Sequence, residues 1–306
     1  MWAYRLLLDR EPESEDVVRS YVASCRHARD LRDAIMSSEE FRTRSELDPA
    51  QTIESCVVLK EIAPSLRLFL DLSDVAIGLN VARGLYETRE LAYARSAVRP
   101  GDVALDVGAN IGFFTVHLAD VVGPSGHVHA FEPFEQNVAL LERSIAENRF
   151  GERVTVHRAA VGDRAGRTEM IALELAKGAR NSGGAYLRPA SGDVPREHVV
   201  LDVPIVALDA VELPARVAFV KIDVEGAEPL AFRGARRLLD RDRPKILSEV
   251  NAIQLPRVAG TSAADFVREM AAYGYRCHRL ADGGLGPAIG HDVPADDVWS
   301  AVFEPA

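Results

Sequence analysis

Cysteine is scarce in this chain: Cys25, Cys56 and Cys277 are the three among 306 residues. Their number is odd and their spacing matches neither a metal-ligand motif nor a disulfide framework, a pattern expected in a reducing compartment such as the cytoplasm. Also missing is any run approaching the ~20 apolar residues that span a bilayer. The opening MWAYRLLLDREPE is broken by Arg5 and Asp9, which is not the pattern of a secretory leader. Positive charge is in deficit, with 36 Lys and Arg against 46 Asp and Glu and a net charge of −10. A nucleic-acid binder needs a basic surface to neutralise phosphates, so that class of partner is not expected. There is no internal repeat.

What is present describes an ordinary globular chain, 47% hydrophobic and 27% charged. Its length accommodates one large α/β domain with a small appendage. Up to about residue 45, Leu6, Leu7, Val17, Val18, Tyr21, Val22, Leu31, Ile35 and Phe41 recur at roughly helical spacing. RSELDPAQT then reads as a linker. The expected division is a helical module and linker over 1–50 and a larger domain over 51–306. In the latter, LRLFLDL and VAIGL predict short strands, and TRELAYARSAV predicts a helix ended by Pro100-Gly101. From residue 102 on, apolar runs alternate with amphipathic helices. This is the signature of βαβ units and a mostly parallel sheet covered on both faces. RCHRL and DVWSAVFE, with no helix between them, predict an antiparallel hairpin at the sheet's edge. The Gly-, Ser- and Pro-rich segment 176–198 interrupts two β-like stretches and reads either as a surface insertion or as a flap over a cavity.

LDVGANIGFFT, Leu105 to Thr115, is a strand, a tight turn at Gly108 and Gly112, and the start of a helix. Gly108 permits a sharp turn, and Gly112 lets the helix approach the strand and a ligand. Glu132 ends the next apolar strand, where an acidic side chain meets the ribose hydroxyls of an adenosine. A dinucleotide would call for G-x-G-x-x-G around its pyrophosphate, and no G-K-[ST] phosphate loop follows. Asp106, immediately before the turn, would repel a pyrophosphate and suits the ammonium and sulfonium of S-adenosylmethionine. Asn110 belongs to the same loop. In HRAAVGDRAG, Ala160 and Val161 offer an apolar surface for adenine and Asp163 an acceptor for its amino group, or the segment is a simple turn.

DVGANIGFFT, AFEP, KIDVEGAE and the RP-KILSEVN stretch together resemble the FkbM family of S-adenosylmethionine-dependent methyltransferases, from about residue 60 onward. The resemblance implies a class I Rossmann-like methyltransferase fold and O-methylation of a hydroxyl on a sugar, glycolipid or polyketide-type natural product. It implies a small-molecule or glycan acceptor as partner, and it is compatible with a homo-oligomer. NSGGA, Asn181 to Ala185, resembles a family segment overlying the active site. YRLLLDREPE…SSEEF resembles a small helical module found beside glycan-modifying domains in bacteria.

KIDVEGAE, Lys221 to Glu228, drives an apolar strand into four charged residues. Asp223 falls at the strand's carboxyl end, where open α/β sheets bind ligands. Glu228 precedes Pro229 at a helix start and reads as a cap, and Lys221 reads as the partner of a carboxylate. Two mechanisms fit. In one, Asp223 or Glu225 is a general base, with Glu249 beside them. In the other, Asp223, Glu249 and Asn251 hold a divalent cation such as Mg that acidifies the hydroxyl. Two rival functions are a nicotinamide-dependent oxidoreductase and a non-catalytic Rossmann-like binding module. The loop spacing opposes the first, and the set of strand-end carboxylates opposes the second.

Overall fold

Short apolar runs followed by helices build the larger part of this chain, and their order places the site loops at the carboxyl ends of central strands. The computed structural model describes residues 57–74, 76–174, 180–189, 198–213, 215–282, 284–290 and 298–306, with residues 14 and 293. The chain divides into two units, Met1–Val58 and Leu59–Ala306. The helices expected before residue 45 and the linker after them lie outside the described residues, Ser14 excepted.

The described chain opens with a two-stranded ribbon of β1 (Val57–Ala63) and β2 (Leu66–Asp71). VAIGL, expected as a strand, instead leads into a short helix, α1 (Gly78–Ala82). The Asp74 carboxylate accepts the amides of Ala76 and Ile77 at 3.0 Å each, which turns the chain before a strand can form. A Cβ on Gly78 would lie 2.0 Å from the Asp71 carbonyl oxygen, so this turn also needs glycine. Then follow α2 (Thr88–Ala97), β3 (Val103–Val107), α3 (Phe113–Val122), β4 (His127–Phe131), α4 (Glu135–Glu147) and β5 (Val154–His157).

β6 (Ala160–Val161), β7 (Gly166–Glu174), β8 (Arg180–Leu187) and β9 (His198–Val206) form a separate four-stranded sheet, ordered β6-β9-β7-β8. Part of the segment expected as an insertion or flap is therefore strand β8, while residues 175–179 and 190–197 lie outside the described residues. The chain returns through β10 (Val217–Ile222), α5 (Glu228–Arg233), α6 (Arg236–Asp242) and β11 (Lys245–Asn251). It finishes with α7 (Gln254–Val258), α8 (Ala263–Ala272), β12 (Tyr275–Ala281), β13 (Gly284–Ala288) and β14 (Val298–Pro305).

The main sheet has the order β13-β12-β14-β11-β10-β3-β4-β5. From β5 to β11 all neighbours are parallel, whereas β14 runs antiparallel to both β11 and β12. The expected antiparallel pair of RCHRL and DVWSAVFE forms, but it is not a simple edge hairpin. β14 is an interior strand, and the Gly-rich connection contributes β13 as the outermost one. This antiparallel insertion departs from the all-parallel doubly wound order and gives the Rossmann-like methyltransferase arrangement. Leu105, Val107, Val220, Ile222, Ile246 and Val250 are buried at the sheet's centre, and Phe232 and Phe266 from α5 and α8 pack with them. Burial of a side chain of this size contributes roughly 1.5–3 kcal/mol, so the parallel centre anchors the strands whose ends carry the site.

Candidate active site

The strand order reverses between β3 and β10: from β3 the chain proceeds outward to β4 and β5, then returns to β10 and β11 on the other side. A crevice at the carboxyl ends of the strands follows from such a switch. It is present as a cavity of about 320 Å³ lined by Gly108, Asn110, Phe131, Glu132, Val161, Asp223, Glu225 and Glu249, with Tyr86 and Glu87 from upstream of β3. Volumes of this order accommodate small ligands and cofactors.

Its glycine turn is built by backbone crowding. Gly108 has φ 80°, and a Cβ there would lie 2.0 Å from the Asp223 carbonyl oxygen. Gly112, at φ 93°, would place its Cβ 2.5 Å from the Leu141 side chain where α3 begins, and it does not line the cavity. Asp106 is also off the lining. It is fully buried beneath the turn, accepts from the Thr115 hydroxyl at 2.5 Å, and has its carboxyl pushed up by burial against the opposing pull of Lys221. It lies beneath the loop whose Gly108 and Asn110 line the cavity.

Glu132 is buried at the mouth of β4. It accepts from the amides of Asn110 at 2.9 Å and Phe134 at 3.0 Å, and from the Asn137 side chain at 3.2 Å. Burial raises its carboxyl to about 7, and these hydrogen bonds oppose the shift. An ionised carboxylate has about four lone-pair sites, so three protein donors orient it and leave capacity for a ligand hydroxyl. Around it, Phe131, Phe134, Val161, Met170 and Leu187 form an apolar end of the cavity. Asp163 is exposed, paired with Arg164 at 3.2 Å, and off the lining. It lies beyond the short strand β6, past the last residue that faces the cavity.

At the opposite end stand Asp223, Glu225 and Glu249. One oxygen from each lies within 4.8 Å of the others. Glu225 has a left-handed backbone, φ 52°, and burial, then Asp223 and Glu228, raises its carboxyl to about 8. Burial and the neighbouring Asp223 and Glu225 charges raise Glu249 too. Lys221 is buried with its Nζ 3.4 Å from Asp223 and 4.9 Å from the centre of the Phe114 ring. Burial disfavours its charge, but Asp223, Glu87 and Asp106 outweigh that and raise its pKa. Asn251 is not oriented as an oxygen ligand. Its Oδ1 accepts from the Ile253 and Gln254 amides at 3.2 and 3.1 Å, and its NH₂ faces Glu249 at 3.2 Å. Glu228 accepts from the Val224 amide at 3.0 Å and holds the KIDVEGAE turn closed.

Strand β8 covers the cavity with Ser182, Gly183, Gly184 and Ala185. The Ser182 amide donates to Asp74 at 3.1 Å, its hydroxyl lies against the same carboxylate, and the Asn110 amide group donates to the Ser182 carbonyl at 3.1 Å. Asp74, Ser182, Tyr86 and Glu87 were not among the residues expected at the site. Only the NSGGA resemblance pointed to any of them.

The chemistry of this lining fits S-adenosylmethionine: an apolar end for adenine, an oriented carboxylate for a ribose diol, and carboxylates for a cationic end. The family model described as the Methyltransferase FkbM domain matches residues 106–277, more than half the chain. The 31-O-demethyl-FK506 methyltransferase FkbM of Streptomyces tacrolimicus is 36% identical over 112 residues, 35% of this chain and 42% of that protein. The chain thus spans well under half the length of this curated relative. Among solved structures, a methyltransferase FkbM from Methylobacillus flagellatus aligns with TM-score 0.41 and 18% identity, over 73% of this chain and 52% of its own. A SAM-dependent O-methyltransferase from Thermotoga maritima aligns with TM-score 0.41 and 15% identity, over 72% of this chain and 65% of its own.

Proposed function

The chain belongs to the FkbM methyltransferase family, and on that footing we propose that it transfers the methyl group of S-adenosylmethionine to the hydroxyl of a sugar, glycolipid or polyketide-type natural product. The observation that carries the reading is the convergence of Glu132, Gly108, Asp223 and Glu249, from four neighbouring strand ends, on one cavity. Residues 51–306 are assigned to this activity and 1–50 to a separate module.

The sulfonium of the cofactor supplies an activated methyl group. What remains for the chain is to place the acceptor oxygen in line, exclude water and take its proton. Val161 and its apolar neighbours bind adenine, Glu132 holds the ribose, and the Gly108–Asn110 loop lets the cofactor approach the backbone. β8 shields the reaction from solvent. Asp223 faces both the cationic end of the cofactor and the acceptor hydroxyl, and Glu225 or Glu249 receives the hydroxyl proton. The raised carboxyls of Glu225 and Glu249 make them stronger bases than ordinary carboxylates once ionised.

A second reading is favoured by the convergence of three carboxylate oxygens. Asp223, Glu225 and Glu249 would hold a hard divalent cation such as Mg²⁺, which would acidify the acceptor hydroxyl. Asn251 would then orient Glu249 rather than ligate.

Calorimetric titration with S-adenosylhomocysteine tests the proposal. Saturable one-to-one binding, weakened at least tenfold in Glu132→Ala, is expected; no binding by folded wild-type protein overturns it. A rise in melting temperature with Mg²⁺ that disappears in Glu249→Gln selects the metal reading. No shift leaves the carboxylates as bases.

A further inference from the structure

Glu87 has no role in the scheme above, yet the fold goes to some length to place it. It stands at the N-cap of α2, where an acidic side chain ordinarily accepts from the free amides of the first turn. It makes no such bond, and its backbone is left-handed, φ 40° and ψ 45°, a strained conformation for a residue with a Cβ. The side chain instead lines the main cavity and also a smaller one of about 100 Å³ behind it, shared with Lys221, Asp223, Glu249 and Ser300. The Tyr86 ring is held edge-on to Phe113 at 5.2 Å, which braces the turn. Burial raises the Glu87 carboxyl, while the nearby Lys221 opposes that shift.

Strand order says where along a linear ligand this carboxylate falls. Glu132 follows β4, Gly108 follows β3 and Asp223 follows β10, and these strands are neighbours in that sequence. An adenosine whose ribose meets Glu132 therefore extends its methionine portion past Gly108 towards Asp223 and Glu87. Lys221 already balances part of the negative charge there from below. A ligand group entering between two carboxylates from the cavity side is best accommodated if it is cationic and can donate several hydrogen bonds.

We propose that Glu87, together with Asp223, receives the α-ammonium group of the cofactor's methionine moiety, and that the left-handed turn before α2 serves to present it. This rests on the cofactor placement proposed above. It adds a cofactor residue from outside the matched domain, since Glu87 precedes residue 106.

The test is calorimetry on the full chain with two ligands: S-adenosylhomocysteine, and its analogue lacking only the α-amino group, 5′-S-(3-carboxypropyl)-5′-thioadenosine. Glu87→Gln, nearly isosteric and uncharged, should weaken S-adenosylhomocysteine at least tenfold and leave the deaminated analogue within twofold of wild type. Equal losses for both ligands would reduce Glu87 to a structural residue, and no loss for either would remove it from the site; each overturns the assignment. Should Glu87→Gln not fold, Glu87→Asp, with the charge withdrawn by one methylene, is read against the same two ligands and the same criteria. Absence of S-adenosylhomocysteine binding by wild type overturns the cofactor placement and this assignment with it. Binding unaffected by the substitution overturns this assignment alone.

Discussion

Two clusters of sheltered titratable groups lie on the same sheet, and they have opposite characters. At the ends of β10 and β11, Asp223, Glu225 and Glu249 point their oxygens at one another and line a cavity. On β4 and β5, His129 Nδ1 lies 3.1 Å from His157 Nε2, His127 Nε2 lies 2.8 Å from the Thr155 hydroxyl, and the His157 ring stacks on Phe131 at 4.3 Å. None of these histidines lines the cavity. The histidines exchange hydrogen bonds and ring contacts within the fold, and burial lowers the pKa of each. The carboxylates repel one another, and Lys221 and Asn251 relieve them only in part. What separates a site from a structural cluster is therefore unrelieved charge facing a space a ligand can enter, not the residue type or the depth of burial.

The comparison can be broken first by chemistry. Glu249→Gln should lower methyl transfer by about 10²–10⁴-fold, the usual contribution of a positioned acid or base, while S-adenosylhomocysteine affinity stays within threefold. Radiolabelled donor against a panel of hydroxylated acceptors measures this. Retained transfer would move the proton-accepting role to Glu225.

The second prediction concerns pH. Burial raises Glu132 to about 7 and Glu225 to about 8, from an ordinary 4.5. Between those values the folded state holds protons that the unfolded state has released, so stability falls as pH rises. The ligand-free protein should melt about 5 °C lower at pH 8.5 than at pH 5.5, and Glu225→Gln should flatten the slope. For the histidines the sign reverses. Burial lowers His129 to about 4 from 6.5, so its contribution is present above 6.5 and lost as pH falls towards 4.

The smallest effect sharpens the contrast. His129→Asn should leave S-adenosylhomocysteine affinity within twofold while reducing the acid-side loss of melting temperature. A larger effect on affinity would bring the histidine patch into the site.

How much of this was legible in the sequence depends on range. The Gly108 turn, the strand into Glu132 and the strand into Asp223 are local patterns of period and glycine placement, and the sequence displays them directly. VAIGL misled because a five-residue apolar run does not distinguish a strand from a short helix, and the deciding contact, Asp74 to the Ala76 and Ile77 amides, is a side-chain bond. Asp163 falls two residues past the end of β6, a strand only two residues long, and off the cavity lining. Whether Asn251 Oδ1 faces a cation or the start of α7 is a matter of one torsion. Glu87 was hidden for a different reason, its place depending on a left-handed turn, whereas Ser182 showed only through the NSGGA resemblance because the bond that holds it spans 108 residues.

The interior position of β14 sets a schedule for folding. It lies between β11 and β12, yet follows both in the chain. Until it has been made, β11 presents a row of unpaired backbone amides and carbonyls on one side, and β12 with its partner β13 has no attachment to the rest of the sheet. The nascent chain thus carries an open, apolar strand edge, the kind of surface that templates association with another chain. Closing that edge requires β14 to pair on both sides at once, through six residues with β11 and five with β12.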